Sequence, residues 1–287
     1  MKDLKHLIFF ENLLQDAQNE LVTQAVNDGK IALGYNCYYI PEVLLNLPGC
    51  FSTRLRAPRC ESTDVATYYM TSRTCPYVRS ILERAIEGGY NYLGALFGAE
   101  CCAAMERMEE HFFLLNLVKN DKFFITQIDP PMKGYKGQLQ LKVVDQLAKR
   151  YGIDVSDAAM RKSIEQFNEL CDVITEIGNF RKLPNPPITG YEFHVIQLVS
   201  EVCPHELILP YLKETLAEIK KRKVEKAQAR AGVPVPCARR GRRLRDRRSR
   251  VHEAPRGLRR HGRGRPLLLR QLPEPRAHRD PGRRDRV

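Results

Sequence analysis

The chain has 287 residues, enough for about two domains and a sizeable buried core, which excludes a small disulfide-stapled scaffold. Its formal net charge of +13 comes from residues 231–287, which hold 19 Arg, no Lys and five acidic residues, so that residues 1–230 carry a net charge of −1. The body of the chain therefore lacks the charge of a nucleic-acid-binding protein. Neither a membrane span nor a signal segment is found in the sequence, and this predicts a cytoplasmic protein with no membrane partner.

The first part of the chain alternates between helical periodicity and short apolar runs. Residues 4–28 show helical spacing that stops at Asn27-Asp28-Gly29, and residues 30–34 form an apolar run typical of a buried strand. Further strand-like runs are residues 92–97 and 122–126, with helical segments starting near Pro76, Ala103 and Gln138. This alternation predicts β-α units, a parallel sheet and an N-terminal α/β domain over residues 1–152.

After Gly152 the pattern is helical throughout, and residues 153–230 are predicted to be a helical connector. Helices are predicted at residues 191–202 and 206–226, followed by a linker at 231–236. Before these two helices, apolar residues spaced by three and four predict a further helix with one continuously apolar face: Met160, Ile164, Phe167, Cys171 and Ile174. Cys171 is therefore predicted to lie in the core.

The tail has a composition unlike the rest of the chain. From Cys237 onward there is no Ile, Phe, Tyr, Met, Asn, Thr or Lys. One interpretation is a disordered Arg-rich arm for nucleic acid; the one we favour is a GC-rich gene read out of frame, because the missing residue types mostly have AT-rich codons. With a shifted frame, residues 267–274 can encode Tyr-Cys-Phe-Gly-Asn-Phe-Pro. We therefore assign the tail no function and no nucleic-acid partner.

Nine cysteines, an odd number in a chain of cytoplasmic character, favour buried thiols or metal ligands over a disulfide framework. Cys75 precedes Pro76, which suits the first position of a helix, so Cys75 is predicted at a helix N-terminus, where a thiolate is favoured; the alternative is a small buried thiol. Cys101 and Cys102 follow an apolar run at the carboxyl end of a predicted strand. Consecutive helix residues point about 100° apart, so only one of the two is expected to face a ligand.

Glu42 closes the stretch Gly-Tyr-Asn-Cys-Tyr-Tyr-Ile-Pro-Glu at residues 34–42, directly after the first predicted strand. Pro41 suits the start of a helix, so Glu42 either stabilises the first turn or contributes an acid to a site at the sheet edge. No His pairs, P-loop, G-x-G-x-x-G or G-x-S-x-G motif is present in the sequence. Hydrolase, nucleotidase and ordinary dehydrogenase functions therefore lack their usual evidence.

Three motifs together resemble the 2-hydroxyacyl-CoA dehydratase and benzoyl-CoA reductase family, in particular subunits of the 2-hydroxyglutaryl-CoA dehydratase D-component type. They are the stretch at residues 34–42, Thr-Cys-Pro-Tyr-Val-Arg-Ser at 74–80 and Cys-Ala-Ala-Met-Glu-Arg-Met at 102–108, in the family's order and spacing. The resemblance covers roughly residues 1–230. It implies flavodoxin-like α/β domains with helices between them, a heterodimer of homologous subunits, and a 4Fe-4S cluster held by three Cys.

Carried over by motif, Cys75 and Cys102 are expected to be two of the three cluster ligands. The third belongs to a second α/β domain that is missing from this reading frame, and the out-of-frame Tyr-Cys-Phe-Gly is the candidate for it. Ala103 stands where the family often has Asp. The chain as written, truncated or frame-shifted, is therefore not expected to hold its cluster normally.

The resemblance implies a cytoplasmic hydro-lyase of anaerobic amino-acid fermentation. An ATP-dependent iron–sulfur activator would deliver one electron, and water would leave a 2-hydroxyacyl-CoA through a ketyl radical to give a 2-enoyl-CoA, with Glu42 in proton transfer or hydroxyl orientation. The family leaves two alternatives open: a benzoyl-CoA reductase-type subunit that reduces an aromatic CoA thioester, and a non-catalytic cluster-bearing partner subunit.

Overall fold

A computed structural model of the chain describes residues 4–100, 102–128, 138–183 and 185–222. By its contacts the chain divides into a compact unit that ends at Ala227 and a second unit, Gln228–Val287, which lies outside the described residues together with every prediction made for the tail. No helix in the described ranges is long and apolar enough to cross a membrane.

Thirteen elements and one short 3₁₀ helix, Glu42–Leu45, make up the described fold. The strands are β1 (Ile31–Tyr35), β2 (Cys50–Arg54), β3 (Leu93–Ala99) and β4 (Phe124–Ile128). The helices are α1 (Leu7–Leu13), α2 (Glu20–Asn27), α3 (Asp64–Tyr69), α4 (Pro76–Ile86), α5 (Ala103–Leu114), α6 (Gln138–Tyr151), α7 (Asp157–Phe180), α8 (Gly190–Val202) and α9 (His205–Lys221).

The four strands form one parallel sheet in the order β2-β1-β3-β4, which confirms the predicted α/β class. All seven residues of β3 are buried, as is expected of a central parallel strand that is covered on both faces. The order agrees with the start of the flavodoxin-like order 2-1-3-4-5. In this order the chain changes direction across the sheet between β1 and β3.

Each face of the sheet packs against different elements. One face carries α2, α3, α4 and α5 through a core that includes Val22, Ala66, Ile81 and Phe112. The other face carries the 3₁₀ helix and α6 through Tyr35, Leu45, Phe97, Val143 and Leu147. Consecutive residues of β1 alternate between these two cores, because successive strand side chains point to opposite faces.

The predicted helix over residues 4–28 is in fact two helices, and this prediction was wrong about its continuity. α1 ends at Leu13, and α2 begins after Asn19, whose Oδ1 accepts a hydrogen bond of 3.0 Å from the Val22 amide. A side-chain cap of this kind starts a new helix. The two helices pack in different places: α1 joins the helical layer of the C-terminal half, and α2 packs on the sheet.

The helical layer consists of α1, α7, α8 and α9 around one apolar core. Helices predicted at 191–202 and 206–226 are confirmed as α8 and α9, although residues 223–226 lie outside the described ranges. Cys171 was predicted to be core and is only partly buried, because the fully buried stripe of α7 runs through Phe167, Leu170 and Ile177. Burial is still enough to raise the pKa of the Cys171 thiol to about 12.

Candidate functional site

The carboxyl edge of the sheet is where parallel α/β folds place their ligands, at the point where neighbouring strands send their connections to opposite faces. In this chain that point lies between β1, which continues into the 3₁₀ helix on one face, and β3, which continues into α5 on the other. The sequence-predicted residues Glu42 and Cys102 follow these two strands. Cys75 precedes α4, the helix that leads into β3.

Cys75 is the N-cap of α4, and Pro76 occupies the first turn, as the sequence predicted. Proline suits this position because its fixed φ is helical and it has no N–H group to leave unpaired. The thiol of Cys75 is exposed and is not part of a disulfide. It is therefore accessible at the end of the helix where backbone N–H groups are unpaired.

The loop before Cys75 is fastened to α4 by two charged side chains of that helix. Arg79 donates hydrogen bonds from Nη1 to Thr63 Oγ1 at 2.9 Å and Thr67 Oγ1 at 3.0 Å, and from Nε to the Thr74 carbonyl oxygen at 3.3 Å. One turn further along, the buried Glu83 carboxylate accepts a hydrogen bond of 2.7 Å from the Ala66 amide in the first turn of α3. These bonds fix the course of the chain into the Cys75 position.

Cys102 is the N-cap of α5 and is also exposed, while Cys101 lies outside the described residues. α4 and α5 pack side by side on the same face of the sheet. α4 ends before β3 begins, and α5 begins after β3 ends, so both helices run opposite to the strand and begin at the carboxyl edge. Neighbouring helix axes lie about 8–10 Å apart. The fold therefore brings the two predicted ligands to one edge and one face.

Two thiols with this placement suit an iron–sulfur cluster, since such clusters are held by Cys thiolates. In the ranges that the structure describes, no three side chains of His, Cys, Asp or Glu come together as a metal site. Cys75 and Cys102 are the two candidate donors on the described part of this edge, and the expected third ligand would come from outside the described ranges.

Glu42 lies on the opposite face of the sheet from the two cysteines, in a hydrogen-bonded group. Its Oε1 accepts hydrogen bonds from Tyr35 Oη at 3.0 Å and Ser52 Oγ at 3.1 Å, and it lies 3.3 Å from Nε2 of His205. The His205 ring is buried, and neither of its nitrogens has a hydrogen bond of good geometry to the described residues. Burial, followed by the nearby Glu42 carboxylate, raises the pKa of Tyr35 well above its ordinary value.

A second carboxylate, Glu109 of α5, is buried against the carboxyl ends of three neighbouring strands. It accepts hydrogen bonds of 2.6 Å from Asn36 Nδ2, directly after β1, and of 3.1 Å from Gln127 Nε2 on β4. Between them it lies on Gly98 of β3, where a Cβ atom would be 2.0 Å from Oε2. Burial raises the pKa of Glu109 to about 6, against the hydrogen bonds from the two amides, which lower it.

Beside the end of β2, Arg54 joins the sheet to the helical layer. Its Nη1 donates to Glu201 Oε2 at 2.5 Å and to Tyr38 Oη at 2.8 Å, and Tyr38 donates to Glu201 Oε1 at 2.5 Å. Partial desolvation of the Tyr38 hydroxyl group raises its pKa to about 12, and the hydrogen bond to Glu201 acts in the same direction. Burial alone would lower the pKa of Arg54, but Glu201 more than offsets this and raises it.

Sequence reasoning missed Glu109, Asn36, Gln127 and His205. For Glu109 there was a usable signal: it lies four residues after Met105 and three before Phe112, on the inward face of α5, where a carboxylate is out of place. The amides of Asn36 and Gln127 carry no such signal, because only the parallel pairing of β1, β3 and β4 brings them to the same carboxylate.

A model of the 2-hydroxyglutaryl-CoA dehydratase D-component family matches residues 37–235, which include the described part of the edge from Cys75 to Gln127. The match covers more than half of the chain. The chain belongs to this family. Two curated relatives are similar to it: the beta subunit of (R)-phenyllactyl-CoA dehydratase from Clostridium sporogenes and subunit beta of lactoyl-CoA dehydratase from Anaerotignum propionicum.

The first relative is 24% identical over 174 residues, which are 59% of this chain and 46% of the relative. The second is 23% identical over 198 residues, which are 67% of this chain and 51% of the relative. The chain thus matches about half the length of these curated proteins. Membership of the D-component family confirms the resemblance found in the motifs.

Proposed function

We propose that this chain is an iron–sulfur subunit of a 2-hydroxyacyl-CoA dehydratase, which eliminates water from a 2-hydroxyacyl-CoA to give a 2-enoyl-CoA. The observation that supports this most directly is the pair of exposed thiols, Cys75 and Cys102, at the N-termini of adjacent helices on the carboxyl edge of the sheet. Family membership and the dehydratase names of both relatives support the reaction class.

In this proposal Cys75 and Cys102 hold two positions of a 4Fe-4S cluster. When bound, the cluster supplies the single electron that makes loss of the 2-hydroxyl group feasible. The protein's own part is to fix the two thiols, and the bonds of Arg79 to Thr63, Thr67 and Thr74 serve this for Cys75. Groups that orient ligands in this way tune a metal site without touching the metal.

Glu42 is proposed to take part in proton transfer or to orient the hydroxyl group of the substrate. The described polar contacts of its carboxylate are all to Oε1, from Tyr35, Ser52 and the nearby His205. This arrangement fixes the carboxylate from one side, and its side chain remains 17% exposed. A fixed, partly exposed carboxylate suits general acid–base work, provided that substrate reaches it.

The proposal includes three partners: a homologous subunit, an ATP-dependent iron–sulfur activator and the acyl-CoA substrate, all in the cytoplasm. Both relatives carry names of beta subunits, which supports a partner subunit. The exposed aromatic rings of Tyr38, which is 66% exposed, and Tyr39, which is 59% exposed, lie just after β1 and would be suited to a contact at this edge.

Anaerobic reconstitution with iron and sulfide tests the assignment of the ligands. Since the third expected ligand is missing from this reading frame, we expect the wild-type chain to bind less iron and labile sulfide than one full cluster, and Cys75→Ala and Cys102→Ala each to lose most of what is bound. Cys60→Ala is the matched control, since Cys60 is a partly buried loop thiol whose Sγ donates to the Ser62 carbonyl oxygen. Equal iron and sulfide in the control and in the two ligand variants would overturn the proposed site.

A further inference from the structure

Glu109 is the most unusual polar group outside the proposed ligands. It is 1% exposed, and each of the three strands β1, β3 and β4 meets its carboxylate at the carboxyl end: Asn36 and Gln127 donate to it, and Gly98 leaves the space in which it lies. A carboxylate in this position costs stability unless it is hydrogen-bonded, and only two donors reach it among the described residues. The fold therefore leaves space for this carboxyl group, but two hydrogen bonds compensate only part of the cost of burying its negative charge.

The amide of Asn36 suits both protonation states of Glu109. In the charged state, Nδ2 donates to Oε1 of the carboxylate, and Oδ1 of Asn36 is buried without a hydrogen-bond partner among the described residues. If Glu109 takes up a proton at Oε1, a half-turn of the amide presents Oδ1 as the acceptor, while Gln127 continues to donate to Oε2. The unpartnered oxygen is then the acceptor needed by the protonated acid.

Glu109 follows the N-cap Cys102 by seven residues, which corresponds to about 10 Å along the axis of α5. The described charged groups that act on it are Glu106 on the same helix and Glu100 at the end of β3, both negative. From β1 and β4 the described contacts are amides. No cation among these groups holds the carboxylate in its charged form.

We propose that Glu109 is a proton-accepting group linked to the charge at the Cys102 end of α5. When a one-electron donor reduces a cluster held there, the added negative charge would raise the proton affinity of the carboxylate, which then takes up a proton from solvent in part of the molecules, so that electron uptake and proton uptake are coupled. The electron transfer rests on the proposed function, whereas the link between a charge at position 102 and the proton on Glu109 is a property of this chain alone.

A matched pair of substitutions tests the link without a cluster. Cys102→Asp places one negative charge at the N-cap of α5, and Cys102→Asn places a neutral group of the same shape there; both residues are good N-caps, and the position is exposed. The pKa of Glu109 is then measured by ¹³C NMR of labelled glutamate at low salt, with Glu109→Gln to assign the signal.

We expect the pKa of Glu109 to be higher in Cys102→Asp than in Cys102→Asn by about half a unit to one unit, from a unit charge about 10 Å away in a protein-like dielectric. Asn179→Asp, an exposed change at the end of α7, should leave it unchanged. Equal pKa values in the two Cys102 variants would overturn the inference, even if iron binds as proposed. Failure of the wild-type chain to bind iron, together with the expected pKa difference between the two Cys102 variants, would overturn the proposed function only.

Replacing Asn36 by Ala tests the role of the amide. This removes the N–H that donates to the charged form of Glu109, so we expect the pKa of Glu109 to rise above that of the wild type. The rise is expected even though the amide can turn, because a hydrogen bond to a charged carboxylate is about twice as strong as one to the neutral acid. An unchanged pKa would overturn the role of Asn36 in holding the charged form of Glu109.

Discussion

The buried carboxyl of Glu109 should make the stability of the fold depend on pH in a defined direction. Its pKa is raised from 4.5 to about 6 by burial, so between these values the folded chain binds more protons than the unfolded chain. Stability therefore falls as the pH rises through this window. With 1.36 kcal/mol for each unit, the loss from this one group is about 2 kcal/mol, complete above about pH 7.

Urea unfolding at several pH values measures this loss. In Glu109→Gln the side chain is neutral throughout, and the Asn36 amide can turn to match it, so the decline of about 2 kcal/mol between about pH 4 and pH 7 should disappear. Glu110→Gln, on the exposed side of the same helix, is the control and should keep the wild-type dependence. If Glu109→Gln shows the same decline as the wild type, Glu109 is not the group that titrates.

Three further substitutions test the contacts that shape the edge. Gly98→Ala should lower the free energy of unfolding by about 2–3 kcal/mol, since the new Cβ would meet the Glu109 carboxylate; a change below about 0.5 kcal/mol would contradict the contact. Arg79→Ala should lower the free energy of unfolding by about 2 kcal/mol and speed proteolysis of the loop before α4, and Arg79→Lys should recover part of the loss. Unchanged proteolysis would refute the anchoring role of Arg79. Arg54→Ala should lower the free energy of unfolding by about 3 kcal/mol, because it leaves the Glu201 carboxylate without its cation. The double variant with Glu201→Ala should be more stable than Arg54→Ala alone, and urea midpoints in the opposite order would contradict this.

The elements with strong local signals could be predicted from the sequence. Pro76 marked the start of α4 and so the position of Cys75, and continuous apolar runs marked β1 and β3. β2 was not predicted, because its Ser52 and Thr53 have the character of surface residues. Their burial is possible because residues outside the strand satisfy their hydroxyl groups: Ser52 Oγ accepts a hydrogen bond from Asn46 Nδ2, and Thr53 Oγ1 donates one to the Val202 carbonyl oxygen.

The candidate site could be predicted in part, for the same reason. Cys75 and Cys102 are placed by their own helix starts, which are local features. The environment of Glu42 depends on His205, which is 163 residues away and comes from the helical layer. Glu109 depends on three strands that pair in an order that the sequence does not state. Non-local contacts of this kind are determined by the packing of whole elements rather than by any local pattern.

Whether Cys75 and Cys102 form one site decides the proposed function. Treatment of the native chain with a short dimaleimide, followed by peptide mass spectrometry, tests this directly and also distinguishes Cys102 from Cys101. Because both thiols are exposed at the starts of two helices that pack against each other, and the axes of such helices lie about 8–10 Å apart, we expect a single reagent molecule to join the Cys75 and Cys102 peptides. Two separate singly attached reagents, with no joined peptide, would contradict a shared site.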